Sequence, residues 1–384
     1  MNRRENFQKA LHRENPDRLI LDLGGNPLSS MEGRSMYSML DFLGYSYDGN
    51  IDDALLFGAV RRIDERILTY LDIDTRSVGY ILKPRKSQFK KLSDTEYIDE
   101  WGIRRKYTGM YWDIVDSPLE GAEVEDLDAF EWPDPESLDM KELDDIQRRA
   151  KYLFEQTDYV ICAEHPIYGV FELGCWMCGF EDFLIKTIQD HAFVHRFFEI
   201  VLSYQKKVID AYYGAIGPYI HYTSSGDDFA TQASSFLSPQ MFRELIKPYL
   251  KERIAYTKKY TDAAFLHHSC GNVFALIPEL IEAGVEMLNP IQPVSSDMVP
   301  DNLKRNYGNQ ICFHGGLDTQ KVLLYNDKNL SRDEVEKLIH ALAPNGGYIF
   351  AAAHNIQENV NPENVICAFQ TARNCKLPKN ITLI

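Results

Sequence analysis

The feature that most restricts this chain is an alternation that runs almost from end to end. Short apolar runs, each closing on a polar residue, Gly or Pro, are separated by stretches with helical periodicity. The runs are Leu19 to Gly24, Thr75 to Tyr80, Tyr159 to Glu164, Tyr219 to Asp227, Ala263 to Gly271, Glu286 to Pro293, Gln310 to Asp318 and Gly347 to Asn355, eight in all. A helix between two strands returns the chain to the same edge, so the strands it joins lie parallel. Eight such units predict an α/β fold, a (β/α)8 TIM barrel. A chain of 384 residues with 45% hydrophobic content can fill one such core, so residues 1–384 are expected to form one barrel domain.

The intervening helices can be read in places. Met241, Leu245, Tyr249 and Ile254 recur at helical spacing between Pro239 and Lys259, and Val273 to Ala283 reads the same way. Ser238, before Pro239, is placed to cap one helix, and Ser331, three residues before Glu334, to cap another. Residues 83–138 break the rhythm with charge, Tyr and Trp, and are expected to form a small β-rich insertion near the barrel mouth. Its end, Glu123 to Glu136, reads as a solvated acidic connector.

A formal net charge of -16 repels nucleic acid, and no cluster of Lys and Arg overrides it. No stretch is apolar enough for a secretion signal or a membrane span. Seven cysteines, an odd number, point to free thiols or metal ligands in a reduced, cytoplasmic setting.

In a barrel, chemistry gathers at the carboxyl ends of the strands. Four ends carry polar groups: Ser224 to Asp228, His267 to Gly271, Phe313 to Asp318 and Ala353 to Gln357. Along a strand, residues i and i+2 share a face, so His268 and Cys270 converge while His267 turns away. An imidazole and a thiolate together suit zinc, which in catalytic sites takes three protein ligands and keeps a fourth position open. His354 is the expected third ligand, with Cys312 in reserve and Asp227 or Glu172 as further donors. Cys175 and Cys178 sit in an apolar helical segment and read as packed side chains. Asp227 fits either a helix cap or a catalytic role.

Several motifs, taken in order, resemble the uroporphyrinogen decarboxylase superfamily. They are Arg3-Arg4-Glu5-Asn6-Phe7 leading to Asn15-Pro16-Asp17-Arg18, Ser238-Pro239 with Lys247-Pro248-Tyr249, His268-Ser269-Cys270-Gly271, Gly315-Gly316-Leu317-Asp318, and His354 followed by Pro362-Glu363-Asn364-Val365. The resemblance implies one of two activities. His268 and Cys270 match the zinc signature of methyltransferases that work with cobalamin on a corrinoid protein, although the third ligand there is a Cys where this chain has His354. A His at that position is similar to the decarboxylases, but those carry arginines after the first strand, where this chain reads Leu21-Asp22-Leu23-Gly24-Gly25-Asn26-Pro27.

The resemblance therefore implies a zinc-dependent methyltransferase. Asp227, His314 and Asp318 are expected as catalytic residues, Asn26, Asp228 and Gln357 as substrate-binding residues, and His268, Cys270 and His354 as metal ligands. A carboxy-lyase and a non-catalytic ligand- or corrinoid-binding barrel are the alternatives. Trp101, Tyr107 and Tyr111 of the insertion are expected to cover the mouth, to meet a corrinoid protein or to form a homodimer interface.

Overall fold

The computed structural model of the protein describes residues 1–47, 55–56, 59–60, 62–79, 82–109, 112–164, 168–293, 297–325 and 327–378. Among them, eight parallel strands are β1 (Ile20–Leu21), β2 (Thr75–Ser77), β3 (Val160–Glu164), β4 (Tyr222–Gly226), β5 (Ala264–His268), β6 (Met287–Asn289), β7 (Cys312–His314) and β8 (Tyr348–Phe350). They pair in the order β1-β8-β7-β6-β5-β4-β3-β2, so each strand lies beside its sequence neighbour and the last returns to the first. The seam between β1 and β2 is bridged just before β2, where the Asp74 N–H donates to the Leu21 carbonyl at 3.0 Å. The Asp74 carboxylate accepts the Leu21 N–H in return. The result is the expected barrel, nearly closed, although most strands are shorter than their apolar runs. Tyr80, at the end of the second run, lies outside the described residues.

Alternation along the strands sorts the residues. Ile20, Val160, Cys162, Tyr222, Ala264, Leu266, Met287, Cys312 and Ile349 form one buried cluster, plugged by Phe7, Ala10 and Leu11 of the helix Arg3–Leu11. Neighbours of opposite parity, such as Ile161, Phe265, Leu288, Phe313 and Phe350, join the larger cluster under the helices. The first set fills the lumen, and stepping two residues further along each strand reaches the mouth, where the same face carries Asp22, Glu164, Ser224, His268, Asn289 and His314. The lower layers are apolar and pack; the upper one is polar.

Local signals explain most helix boundaries, with three departures from expectation. Ser238 does cap its helix, accepting the Met241 N–H. The helix then passes through a π turn at Phe242–Ile246 before Lys247–Thr257, because Pro248 has no N–H to donate to the preceding turn. Val273 to Ala283 is a 3-10 turn, Phe274–Leu276, followed by the helix Ile277–Ala283. Ser331 is not a cap: the helix Lys328–Leu342 starts earlier, at Asp327, whose carboxylate accepts the Asn329 N–H. Asp binds the free N–H groups of a first turn as well as Ser does, and Ser331 is buried within the helix.

The insertion folds into an antiparallel four-stranded sheet, Lys90–Ser93, Glu96–Ile98, Arg104–Tyr107 and Trp112–Asp116. The expectation of exposed aromatics is corrected at Trp101, which is 2% exposed and packs edge-on against Trp132 and Tyr204. Its indole is therefore an anchor of the insertion onto the barrel and no docking surface. Tyr107 is partly exposed beside Trp112, and Tyr111 lies outside the described residues. The acidic connector is solvated as expected, with Glu123, Glu125, Asp126, Asp128, Glu131 and Glu136 exposed, and its short helix Asp126–Ala129 is pinned by the fully buried Leu127. No helix of the described residues is long and apolar enough to cross a membrane.

Candidate metal centre

The site grows out of β5. His267 points to the helical side, stacked on Phe229, and burial pushes its imidazole down to about 3. His268 points into the lumen. Beyond the strand, Cys270 continues the same face, and its sulfur lies 3.3 Å from His268 Nε2. Three backbone N–H groups pin this turn. That of Cys270 donates to Asp228 Oδ1 at 2.7 Å, that of Gly271 to Gln292 Oε1 at 2.9 Å, and that of Asn272 to the Thr231 carbonyl at 2.7 Å. His354 arrives from the other side of the barrel. It sits four residues past β8, after Ala352 has bridged to Leu317, and its ring lies edge-on to His268 with centroids 6.1 Å apart.

One nitrogen from each imidazole and the thiol sulfur all lie within 4.8 Å of one another. Zinc with donors at about 2.0–2.3 Å in tetrahedral geometry separates them by roughly 3.5 Å, so the set has the chemistry and nearly the spacing of a three-ligand zinc centre. Burial lowers the proton affinity of both imidazoles, that of His354 to about 4, which keeps their lone pairs available at neutral pH. Burial, with the nearby Asp228 carboxylate, raises the Cys270 thiol above its ordinary value, so the sulfur holds its proton until a cation displaces it.

The remaining expected residues are distributed unevenly. Asp228 borders the cluster, 3.8 Å from His268 Nε2. Asp227 is turned aside and accepts the N–H groups of Phe171 and Glu172 at 3.3 and 2.7 Å, the first turn of the helix Val170–Cys178. It caps a neighbouring helix and not the segment that follows it. Glu172 of that turn faces the Asp227 and Asp228 carboxylates, and burial with their charge raises its carboxyl well above the usual range. Asp318 is not one of the grouped donors, and its carboxylate closes its own turn, accepting the N–H groups of Gln320 and Lys321. Asn26 is buried and caps the turn Pro27–Ser29 with its carbonyl oxygen. Gln357 is half-buried in the loop after His354, its carbonyl taking the Val360 N–H. Cys312 sits one layer below His314 in the packed lumen and is not a ligand. Cys175 and Cys178 are free, buried thiols on one helix, as expected.

His314 is the surprise. It is fully buried, and it joins Asp22 to Asn289: Nε2 meets Asp22 Oδ2 at 2.7 Å and Nδ1 meets Asn289 Nδ2 at 2.8 Å. Asn289 in turn meets His268 Nδ1 through Oδ1 at 2.5 Å. Asp22 and Asn289 went unnoticed in the sequence, although each lies two residues beyond a lumen-facing apolar residue, Ile20 and Met287. That spacing was the available signal.

Glu164 occupies the same layer on β3. Burial pushes its carboxyl up to about 8, with the Ser224 hydroxyl and the Arg253 guanidinium pulling partly the other way. Because the folded value lies above the ordinary 4.5, its contribution to stability is present below pH 4.5 and is lost as pH rises through about 8. Glu164→Gln cannot ionise, so its melting temperature relative to the unaltered protein is expected to climb between pH 5 and pH 8.5. A difference that stays flat across that window would show the carboxyl already ionised in the folded protein.

A family model described as uroporphyrinogen decarboxylase (URO-D) matches residues 115–375, more than half of the chain. Among solved structures, the chain is similar to a methyltransferase from Methanosarcina mazei, with TM-score 0.65, 14% identity, and 97% of this chain and 98% of that one covered. It is also matched to native xylanase 10B from Thermotoga maritima at TM-score 0.35 and 10% identity, covering 62% and 81%. No curated protein matches it in sequence.

Proposed function

Because the chain belongs to the uroporphyrinogen decarboxylase family, we propose that it is a zinc-dependent methyltransferase that moves a methyl group between the cobalamin of a corrinoid protein and a small thiol or methylated substrate. The observation that carries this reading is the convergence of His268, Cys270 and His354 from opposite sides of the barrel mouth on one point. Two imidazoles and a thiol serve little purpose for packing at a polar rim, and they are a good donor set for zinc.

Bound zinc would supply Lewis acidity, lowering the pKa of a substrate thiol or polarising the heteroatom of a methoxy or methylamine substrate. His268 and His354 offer neutral nitrogens, and Cys270 gives up a proton to offer a thiolate. Having only one thiolate leaves the site less electron-rich than a two-thiolate set, which favours the polarising role. Asp228 holds the Cys270 turn from below, and Glu172, neutral beside it, can donate a hydrogen bond to a substrate heteroatom.

The carboxy-lyase alternative fits less well. A substrate with many carboxylates would meet the Glu172 and Asp228 carboxyls beside the cluster, and no arginine lies between Asp22 and Glu32 after β1. Arg34, the nearest in sequence after it, is 76% exposed and paired with Glu358. Carboxylates are held well by bidentate guanidinium groups, which that segment lacks.

Purified protein is expected to carry about one zinc per chain and to demethylate methylcobalamin when offered thiols, or to form it from methoxylated or methylated donors. Absence of zinc together with decarboxylation of a tetrapyrrole would replace this reading with the alternative. Stoichiometric zinc with no transfer to or from any of these compounds would leave a binding barrel.

A further inference from the structure

The line of polar side chains in the upper lumen has a direction, and the Asp22 carboxylate at the end remote from the metal centre and the His314 carbonyl in its middle agree on it. One oxygen of Asp22 takes the Gly25 backbone N–H at 2.9 Å and the Thr75 hydroxyl; the other takes the Tyr222 hydroxyl at 3.3 Å and faces His314 Nε2 at 2.7 Å. Oδ2, the oxygen that faces His314, also takes the Tyr222 hydroxyl. Burial alone would raise the carboxyl, but hydrogen bonds and the neighbouring His314 hold it below its usual range, so it is an acceptor and His314 carries its proton on Nε2. The Nδ1 of His314 is then a lone pair. The Asn289 amide group that faces it, at 2.8 Å, also lies 3.3 Å from the His314 carbonyl oxygen. Only a donor satisfies both neighbours, which fixes the amide nitrogen there and turns Oδ1 toward His268 Nδ1. An acceptor at that place requires the proton of His268 on Nδ1. Its Nε2 is left as a lone pair on the side of Cys270.

We infer that Asp22, acting through His314 and Asn289, is a positioning residue that sets the tautomer of His268 and so presents the Nε2 lone pair to the metal. This rests on the zinc-site reading above and adds to it a residue three hydrogen bonds from the metal. Packing alone does not explain such a chain. The layers beneath it in the same lumen are filled by Ile20, Met287 and Cys312, whereas a fully buried carboxylate is costly unless its hydrogen bonds serve it. Groups that hydrogen-bond a ligating imidazole orient it, and their loss typically costs about 10- to 100-fold in metal affinity.

Asp22→Asn tests the direction directly. The new carbonyl would keep the Gly25 N–H and the Thr75 hydroxyl, which places the new NH2 against His314 Nε2. His314 must then move its proton to Nδ1, and Asn289 has two responses. Either it turns over, setting its oxygen against the His314 carbonyl and leaving His268 with its proton on Nε2, where it blocks the metal, or it stays as it is and opposes a donor to the new N–H, which pulls the series apart. Two readouts apply: zinc affinity by chelator competition, and the His268 tautomer by nitrogen-15 NMR of zinc-stripped, histidine-labelled protein. Expected are a proton on Nδ1 in the unaltered protein and a zinc affinity on the order of 10- to 100-fold weaker in Asp22→Asn. Tyr222→Phe removes one hydrogen bond from the same carboxylate and keeps its charge; it is expected to bind zinc like the unaltered protein.

A proton found on Nε2 of His268 in the unaltered protein would overturn the inference even if Asp22→Asn failed to fold. So would equal zinc affinity in the unaltered protein and Asp22→Asn, or equal weakening by Tyr222→Phe. Failure of the unaltered protein to bind zinc is a different outcome and removes the zinc-site reading itself.

Discussion

Replacing Cys270 by alanine is expected to abolish both bound zinc and methyl transfer while leaving the barrel folded. The sulfur is the one anionic donor of the three, and removing it takes away a ligand and not merely a group that orients one. The loss of zinc affinity should therefore exceed the ~10- to 100-fold typical of an outer partner. The barrel should be little affected, because Cys270 lies beyond β5 in the turn above the packed layers and is itself only partly buried. Elemental analysis of the purified variant, with a thermal melt alongside, checks both halves. Retention of one zinc per chain would show that the sulfur is not a ligand, and transfer activity without zinc would remove the metal from the reaction.

Gly271→Ala is expected to damage the same centre through the backbone. Gly271 has φ of +87°, and a Cβ there would sit 2.5 Å from the Thr231 carbonyl oxygen and 2.6 Å from that of Ala230. Both obstacles are main chain, so neither can swing away. A non-glycine residue in such a conformation costs roughly 1–3 kcal/mol, and the overlap adds to that or forces the turn to open. Opening it breaks the N–H contacts to Asp228, Gln292 and Thr231 that hold Cys270 in line with His268. Gly271→Ala should melt at lower temperature and bind zinc more weakly, whereas Cys270→Ala is expected to lose zinc without the drop in melting temperature. An unaltered melting temperature would mean that the segment carrying Ala230 and Thr231 yields easily.

The two variants separate what was legible along the chain from what was not. That His268 and Cys270 share a face follows from strand geometry alone, because alternate residues point the same way whatever the neighbours are. His354 could be proposed because barrel strands end on a common rim. The direction of the Asp227 side chain could not, since two carboxylates in sequence offer no sign of which one reaches back to the helix Val170–Cys178. Trp101 was misread for a similar reason: the partners that bury it, Trp132 and Tyr204, are distant in sequence. Asp318, in contrast, meets purely local donors, the free N–H groups of its own turn.

The order of apolar runs and helical stretches determined the barrel, and the period of two determined which residues of β5 look into it, since both properties depend only on near neighbours along the chain. Tertiary structure alone decided that Asp22, His314, Asn289 and His268 form one directed series, because each hydrogen bond in it joins different strands of the sheet. The direction in which an imidazole holds its proton depends on what stands opposite, and the residues that stand opposite are brought there only when the barrel closes.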